Sequence, residues 1–339
     1  MNSNALLDSQ GRSVRYIRIS VTDRCNLRCQ YCVPSADFVN LGHDRILSYE
    51  EIVRIVRIFA PRGVTSVRIT GGEPLVRKHL ERLVTSLSEI PEIKDLSLTT
   101  NGILLGKSAR ALKSAGLLRV NISLDTLKPE RFEWITNQSE VTEKASLDDV
   151  LEGLRASREA GLDPVKINVI LMRGFNDDEL MDFVALTEEN EFEVRFIEFM
   201  PIGHNGFWTA DRVITADETI SRLNSFCDGL ESLGKGRGAG PARRYRFPGH
   251  RGTLGFITPI SSEFCVECNR IRLTSDGHIR TCLFSDVETD LLAMMRNGCT
   301  DDQVVAAVEK GLTVKPRGHN ISKTGHQPTC ARTMSHIGG

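Results

Sequence analysis

From Arg15 to about Met200, apolar runs of strand-like composition alternate with helix-like segments. The runs are Arg15–Val21, Val64–Thr70, Lys94–Thr100, Leu118–Leu124, Val165–Leu171 and Glu193–Phe199. Ser48 with Glu51 and Ser146 with Asp149 have capping-box spacing, and Gly63, Pro129 and Gly161 punctuate the joins. Strand, helix, strand repeated in this way predicts parallel strands with right-handed crossovers. Six such units are two short of a closed eightfold barrel. The expected fold is therefore α/β, an open partial (β/α)6 TIM-type barrel over residues 15–203 after a short extension, 1–14.

The alternation within the runs separates two faces. Ile17, Ile19, Val67, Ile69, Val120, Ile122, Ile167 and Val169 form an apolar face suited to packing under helices. The other face carries Arg18, Ser20, Arg68, Thr70, Thr99, Asn121, Ser123, Lys166, Asn168 and Glu198. Inward positions of a filled barrel are mostly Val, Ile and Leu. A lumen with three cations instead expects a large polar, anionic ligand, or internal pairing in which Glu198 neutralises one of them. At the strand ends lie Gly71-Gly72-Glu73-Pro74, Thr100-Asn101-Gly102, Asp125 and Met200-Pro201. Chemistry in such barrels gathers there, and the Gly-Gly pair would let a ligand approach bare backbone.

Cysteine spacing sharpens this picture. Cys25, Cys29 and Cys32 form a C-x3-C-x2-C run just after the first strand, and Cys265, Cys268 and Cys282 form a second set; Cys227, Cys299 and Cys330 are scattered. Clustered thiols in a chain without an export signal read as metal ligands in a reducing compartment. Three thiolates hold a [4Fe–4S] cluster with one iron left open for an outside ligand. The second set brackets a predicted hairpin, Arg270–Thr274 and His278–Cys282 around Ser275-Asp276-Gly277, which would bring its thiols to one spot. A structural zinc completed by His278 is the alternative, although four extended residues from Cys282 span more than ~13 Å. Arg270 and Arg272 share a face beside these thiols, a paired fork suited to phosphate.

After Met200 the regular alternation stops, which predicts an α+β domain over 204–314. Thr215 with Glu218 starts a helix, Ser232–Ala242 reads as a Gly-rich loop, and Arg243–Phe247 and Thr253–Thr258 read as strands. Ser285 with Glu288 and Thr300 with Gln303 are expected to begin two last helices, followed by Gly298 and Gly311. The tail, 315–339, is polar and ends Gly338-Gly339; composition alone favours disorder there. A net charge of −1 argues against nucleic-acid binding through bulk electrostatics. No run approaches the ~18 apolar residues of a membrane span and no secretory signal is evident, so a cytoplasmic location is expected.

The first triad, the Gly-Gly-Glu-Pro turn and the partial barrel together resemble the radical S-adenosylmethionine superfamily. Three stretches narrow the resemblance to its GTP 3′,8-cyclase family, which acts in molybdenum cofactor biosynthesis. They are Ser20-Val21-Thr22-Asp23-Arg24-Cys25-Asn26-Leu27-Arg28-Cys29, Val67-Arg68-Ile69-Thr70-Gly71-Gly72-Glu73-Pro74-Leu75 and Cys268-Asn269-Arg270-Ile271-Arg272-Leu273. The resemblance implies two [4Fe–4S] clusters, one on Cys25, Cys29 and Cys32 and one on Cys265, Cys268 and Cys282. It implies S-adenosylmethionine at Tyr31, Gly72, Ser123 and Met200, and GTP at Arg18, Arg68, Thr99, Lys166, Arg270, Ile271 and Arg272. Catalytic roles fall on Arg18, Arg270, Arg272, Gly338 and Gly339.

The implied reaction cleaves S-adenosylmethionine to a 5′-deoxyadenosyl radical and joins C3′ of GTP to its C8. The implied partners are a reducing electron donor, cyclic pyranopterin monophosphate synthase as product acceptor, and a second copy in a homodimer. A peptide-modifying radical enzyme with an auxiliary cluster and a non-catalytic iron–sulfur protein are the competing readings.

Overall fold

A computed structural model describes residues 4–32, 40–140, 144–202, 206–227, 229–235, 240–262, 264–319 and 332–338. Gly339 and Cys330, and residues 236–239 of the expected Gly-rich loop, lie outside the described residues.

The six expected strands form: β1 Tyr16–Ser20, β2 Ser66–Thr70, β3 Asp95–Thr100, β4 Arg119–Ser123, β5 Val165–Leu171 and β6 Glu193–Glu198. Six more follow: β7 Glu231–Lys235, β8 Arg243–Arg246, β9 Thr253–Ile257, β10 Arg270–Leu273, β11 His278–Arg280 and β12 Glu288–Asp290. All twelve make one sheet in the order β12-β11-β10-β1-β2-β3-β4-β5-β6-β9-β8-β7. β10 pairs in parallel with β1, and β9 with β6. The parallel run therefore has eight strands where six were expected, because the C-terminal part lends one to each flank. Antiparallel strands then lie outermost, β11 and β12 on one flank and β8 and β7 on the other, and the barrel stays open.

Helices between the strands cover the outer face. These are α1 Tyr49–Phe59, α2 Leu80–Ser88, α3 Leu105–Ser114, α4 Pro129–Ile135, α5 Leu147–Glu159 and α6 Leu180–Ala185. Then come α7 Ala216–Phe226, α8 Leu291–Arg296, α9 Asp301–Thr313 and α10 Met334–Ile337. Capping boxes start α1 at Ser48 and α5 at Ser146, as their spacing predicts. Ile52, Ile55, Val56 and Phe59 of α1 are buried in the same core as Ile17, Ile19, Val67 and Ile69. Each such side chain contributes about 1.5–3 kcal/mol of burial. With the apolar parity spent on this core, alternate residues of the parallel strands are left to the lumen.

Three local expectations need correction. Ser285 does not begin a helix: Glu288 opens β12 opposite Arg280, and Asp290 caps α8 through its bond from the Ala293 N–H. Gly311 lies inside α9 rather than after it, with Thr289 Oγ1 3.1 Å from where a Cβ would sit. The start of the expected Gly-rich loop is strand β7, paired with β8.

Candidate functional site

Parallel pairing of β10 with β1 sets the two thiol triads at opposite ends of the lumen. Cys25, Cys29 and Cys32 follow the carboxyl end of β1, whereas Cys265 and Cys268 precede β10, whose Arg270 is level with Tyr16 at the start of β1. The hairpin register, Arg272 opposite Arg280, carries Cys282 to the level of Arg270 as predicted. Chemistry in such barrels is expected to gather at the carboxyl ends; the second triad lies at the amino ends because β10 runs parallel to β1 and the thiols precede it. The five residues of β1 separate the two ends by roughly 13 Å.

The first triad sits in a loop held from two sides. Arg28 N and Gln30 N donate to the carbonyls of Thr136 and Ile135 at the end of α4. On the other side Gly72 N donates to Thr22 O at 2.7 Å and Glu73 N to Arg24 O at 2.8 Å. A Cβ on Gly72 would lie 2.4 Å from Arg24 O, so the glycine pair is needed first for the approach of the cysteine loop. Glu73 accepts from Leu75 N, Thr100 Oγ1 and Asn101 N, and burial raises its carboxyl to about 7. The cysteines are half-buried, and their thiols repel one another when ionised. Burial, then Glu73, pushes Cys25 up to about 12, and burial does the same to Cys32. Thiolates so disfavoured alone need a cationic centre among them, which fits an iron–sulfur cluster.

Beside this triad Tyr31 donates to Asp125 Oδ2 at 2.7 Å, and Ile170 N donates to the other carboxylate oxygen. Burial holds Asp125 at about 6. The Tyr31 ring meets Phe199 edge-on, next to Met200, which faces the lumen. Ser123 ends β4 on the luminal parity, level with Asn168.

The lumen is a cavity of about 710 Å³, and the second triad lines it together with ten Arg and Lys side chains against two carboxylates, Asp95 and Glu193. Arg119 pairs with Asp95, while Glu193 takes Lys166, Arg195 and Arg244. Among the described residues no carboxylate ion-pairs with Arg68, Arg270 or Arg272. Burial and then the neighbouring Arg272 pull Arg18 down to about 9, and burial with Arg18 does the same to Arg68. Arg272 is lowered to about 10 by burial and Arg270. Thr99 Oγ1, Asn168 Oδ1 and Arg270 Nε are buried with no hydrogen-bond partner. Thr99 is not among the residues lining the cavity, but the cavity's uncompensated cations together with the orphaned atoms of Asn168 and Arg270 describe a site for a polyanion with polar edges.

Glu198 is not part of this surface. Its carboxylate accepts from Ala216 N, Ile260 N and Ser261 N on the outer side of β6, so Glu193 neutralises the lumen instead. Ile271, between the two arginines of β10, has its side chain wholly in the core, which leaves only its main chain to the site. Arg119, Arg195 and Glu193 were missed, although their luminal parity follows from the strand spans. Arg12 and Lys315 carried no sequence signal. Arg12 reaches Cys265 O at 2.7 Å, and Lys315 reaches Cys268 O at 3.1 Å, which backs the second triad with charge. Burial opposes ionisation of Cys268, but Lys315 and Arg270 outweigh it and lower the thiol. His278 faces Asp276 and Asp290, not the thiols, which removes the proposed fourth zinc ligand.

The tail enters the site. Gly338, at φ +82°, lies over the ends of β1 and β2, where a Cβ would be 2.7 Å from Thr70 Cγ2 and 3.1 Å from Ser20 Cβ. Its carbonyl accepts from Arg272 Nη1 at 2.6 Å.

Residues 19–187 match the model of the Radical SAM superfamily, and residues 192–321 that of Molybdenum Cofactor Synthesis C. The GTP 3′,8-cyclase of Alkaliphilus metalliredigens (strain QYMF) is 46% identical over 332 residues, 98% of this chain and 99% of that one. That of Moorella thermoacetica (strain ATCC 39073 / JCM 9320) is 45% identical over the same shares. Among solved structures, Streptococcus suis SuiB bound to S-adenosylmethionine aligns with TM-score 0.55 at 16% identity, over 86% of this chain and 68% of that one. Native anSMEcpe with bound AdoMet gives TM-score 0.52 at 15% identity, over 86% and 82%. At these identities the two structures establish the fold.

Proposed function

The chain belongs to the GTP 3′,8-cyclase family of the radical S-adenosylmethionine superfamily, and on that premise we propose that its lumen holds one GTP between two iron–sulfur centres. The observation that carries this reading is one three-thiol set lining a cation-rich cavity at the amino ends of the strands, with a second three-thiol set just after the carboxyl end of β1. Cys25, Cys29 and Cys32 would hold the first [4Fe–4S] cluster, with S-adenosylmethionine at Tyr31, Gly72, Ser123 and Met200. Cys265, Cys268 and Cys282 would hold the second, which would supply an open coordination site for the purine. Together the bound groups supply reductive cleavage of S-adenosylmethionine and a radical able to take the hydrogen from C3′ of the ribose.

The protein's share is binding, orientation and exclusion of water. Arg18, Arg68, Lys166, Arg270 and Arg272 neutralise the roughly four charges of a triphosphate in a site of low dielectric. Thr99 Oγ1 and the main chain of Ile271 offer polar edges, and Asn168 Oδ1 adds an acceptor. Holding the nucleotide at both ends fixes C3′ and C8 for ring closure to 3′,8-cyclo-7,8-dihydro-GTP, the first step of molybdenum cofactor biosynthesis. Gly338 closes the site where a side chain would not fit. In this division residues 15–203 serve the sulfonium cofactor, 204–314 the second cluster, and 315–339 form the closing tail. The same reading brings an external electron donor, cyclic pyranopterin monophosphate synthase as consumer of the product, a homodimer and a cytoplasmic location. Among the described residues, no helix is long and apolar enough to cross a membrane.

Anaerobic protein, reduced and supplied with S-adenosylmethionine, should release 5′-deoxyadenosine in step with consumption of GTP. About eight irons and matching sulfide per chain are expected. Release that ignores GTP, or zinc without sulfide, would refute the assignment.

A further inference from the structure

We propose that Arg332 is a positioning residue for cyclisation: by bridging Asp276 and Glu288 it sets where Gly338 meets Arg272 in the lumen. The inference rests on the reading above for its catalytic consequence, but its geometry stands apart from it.

The grip is built by the β10–β11 hairpin and β12. Asp276 sits in the β10–β11 turn, and Glu288 opens β12 across from Arg280. Arg280, fully buried, takes one oxygen of Glu288, and Thr274 Oγ1 donates to Asp276 Oδ1. His278 Nδ1 lies 3.3 Å from Asp276 Oδ1, and Arg332 takes both carboxylates from the other chain segment: its Nη1 lies 3.0 and 2.9 Å from the Asp276 oxygens and its Nη2 2.7 Å from Glu288 Oε2. A planar fork bridging two carboxylates fixes direction as well as distance, which a point charge does not.

Six residues later the chain reaches its second hold, Gly338 on Arg272. Between the two holds lie Thr333 and the four residues of α10, with Ile337 buried as the apolar anchor. A helix this short has little stability of its own. Gly338 tolerates no Cβ, so a slip by one residue would drive Ile337 against Thr70 and Ser20. Register along this arm must therefore be set from outside it, and Arg332 is the charged group at its base.

The test uses the full chain with both clusters reconstituted, as Arg332→Gln, Arg332→Lys and, from the hairpin side, Asp276→Asn. In Arg332→Gln, amide exchange over 332–338 should quicken at least tenfold while β10 and β11 keep their protection. kcat for cyclisation should fall tenfold or more with KM for GTP within threefold, and iron and sulfide per chain unchanged. Arg332→Lys should recover part of kcat, and Asp276→Asn should repeat the loss without adding to it. Unchanged exchange of the tail, or kcat lost only in proportion to iron and thermal midpoint, would overturn the proposal. If the wild-type protein did not cyclise GTP, the functional reading would fail, while the exchange measurement would still decide the anchor.

Discussion

Arg272 Nη1 donates to the carbonyl oxygen of Gly338 at 2.6 Å, so one luminal guanidinium is shared between the chain's tail and the space meant for substrate. Gly338 can stand there only because it has no side chain: its φ is +82° and Thr70 Cγ2 lies 2.7 Å from the missing Cβ. Gly338→Ala should cost about 1–3 kcal/mol in this local arrangement and lower kcat at least tenfold. Iron content should not change, because the residue supports no thiol. Turnover measured beside an iron and sulfide assay decides it; an active Gly338→Ala enzyme would remove the tail from the site.

Arg68 separates stability from function. It is half-buried over the Tyr16 ring, with no carboxylate partner among the described residues, and burial with Arg18 pulls it down to about 9. Replacing an uncompensated cation by an apolar chain of similar length removes a desolvation cost. Arg68→Met should therefore raise the melting temperature of the ligand-free protein by about 2 °C. It should also weaken GTP binding roughly ten- to a hundredfold. Calorimetric melting and a GTP titration read the two effects separately, and a destabilised variant would contradict this account.

Lys166 makes the site sensitive to pH. Burial lowers its ammonium from the ordinary 10.5 to about 7, with Arg195 adding to the shift and Glu193 opposing it. A folded-state value below the unfolded one means the unfolded chain binds more protons between those limits. Stability contributed by this group should therefore rise with pH from about 7 towards 10.5. Binding has the opposite sign, since a triphosphate favours the charged form. GTP affinity should fall as pH rises above about 7, with proton uptake on binding. Titration calorimetry in buffers of differing ionisation enthalpy measures that uptake, and Lys166→Met should abolish it.

Much of this was legible in the chain because strand parity and thiol spacing are local properties. The six luminal strands, the hairpin that gathers Cys282, and Arg18, Arg68, Lys166 and Asn168 facing one cavity all follow from period two and ligand spacing. Pairing partners are not local. Nothing in Thr253–Ile257 or Arg270–Leu273 says that they join β6 and β1 in parallel, so the opposite placement of the triads needed the fold. Phase failed on β6, where Ile197 faces the lumen and Glu198 does not. A polar residue at a strand end reads as luminal, but three backbone N–H groups outside the barrel claim this one. Lys315 and Arg12 reach the second triad from the two ends of the sequence, and no periodicity connects such residues.

Glu198 gives the sharpest check on that phase. Ala216 N donates to Oε1 at 3.0 Å, and Ile260 N and Ser261 N each donate to Oε2 at 2.8 Å, with Ser261 Oγ adding a further bond. All these donors need an acceptor on both oxygens. Glu198→Gln would turn an N–H₂ towards at least one of them and leave a buried donor unmatched, at about 1–3 kcal/mol. The residues concerned start α7 and follow β9, away from the lumen, so the melting temperature should drop by several degrees while GTP affinity stays within twofold. Weakened GTP binding at an unchanged melting temperature would instead return this carboxylate to the luminal face and reverse the parity assigned to β6.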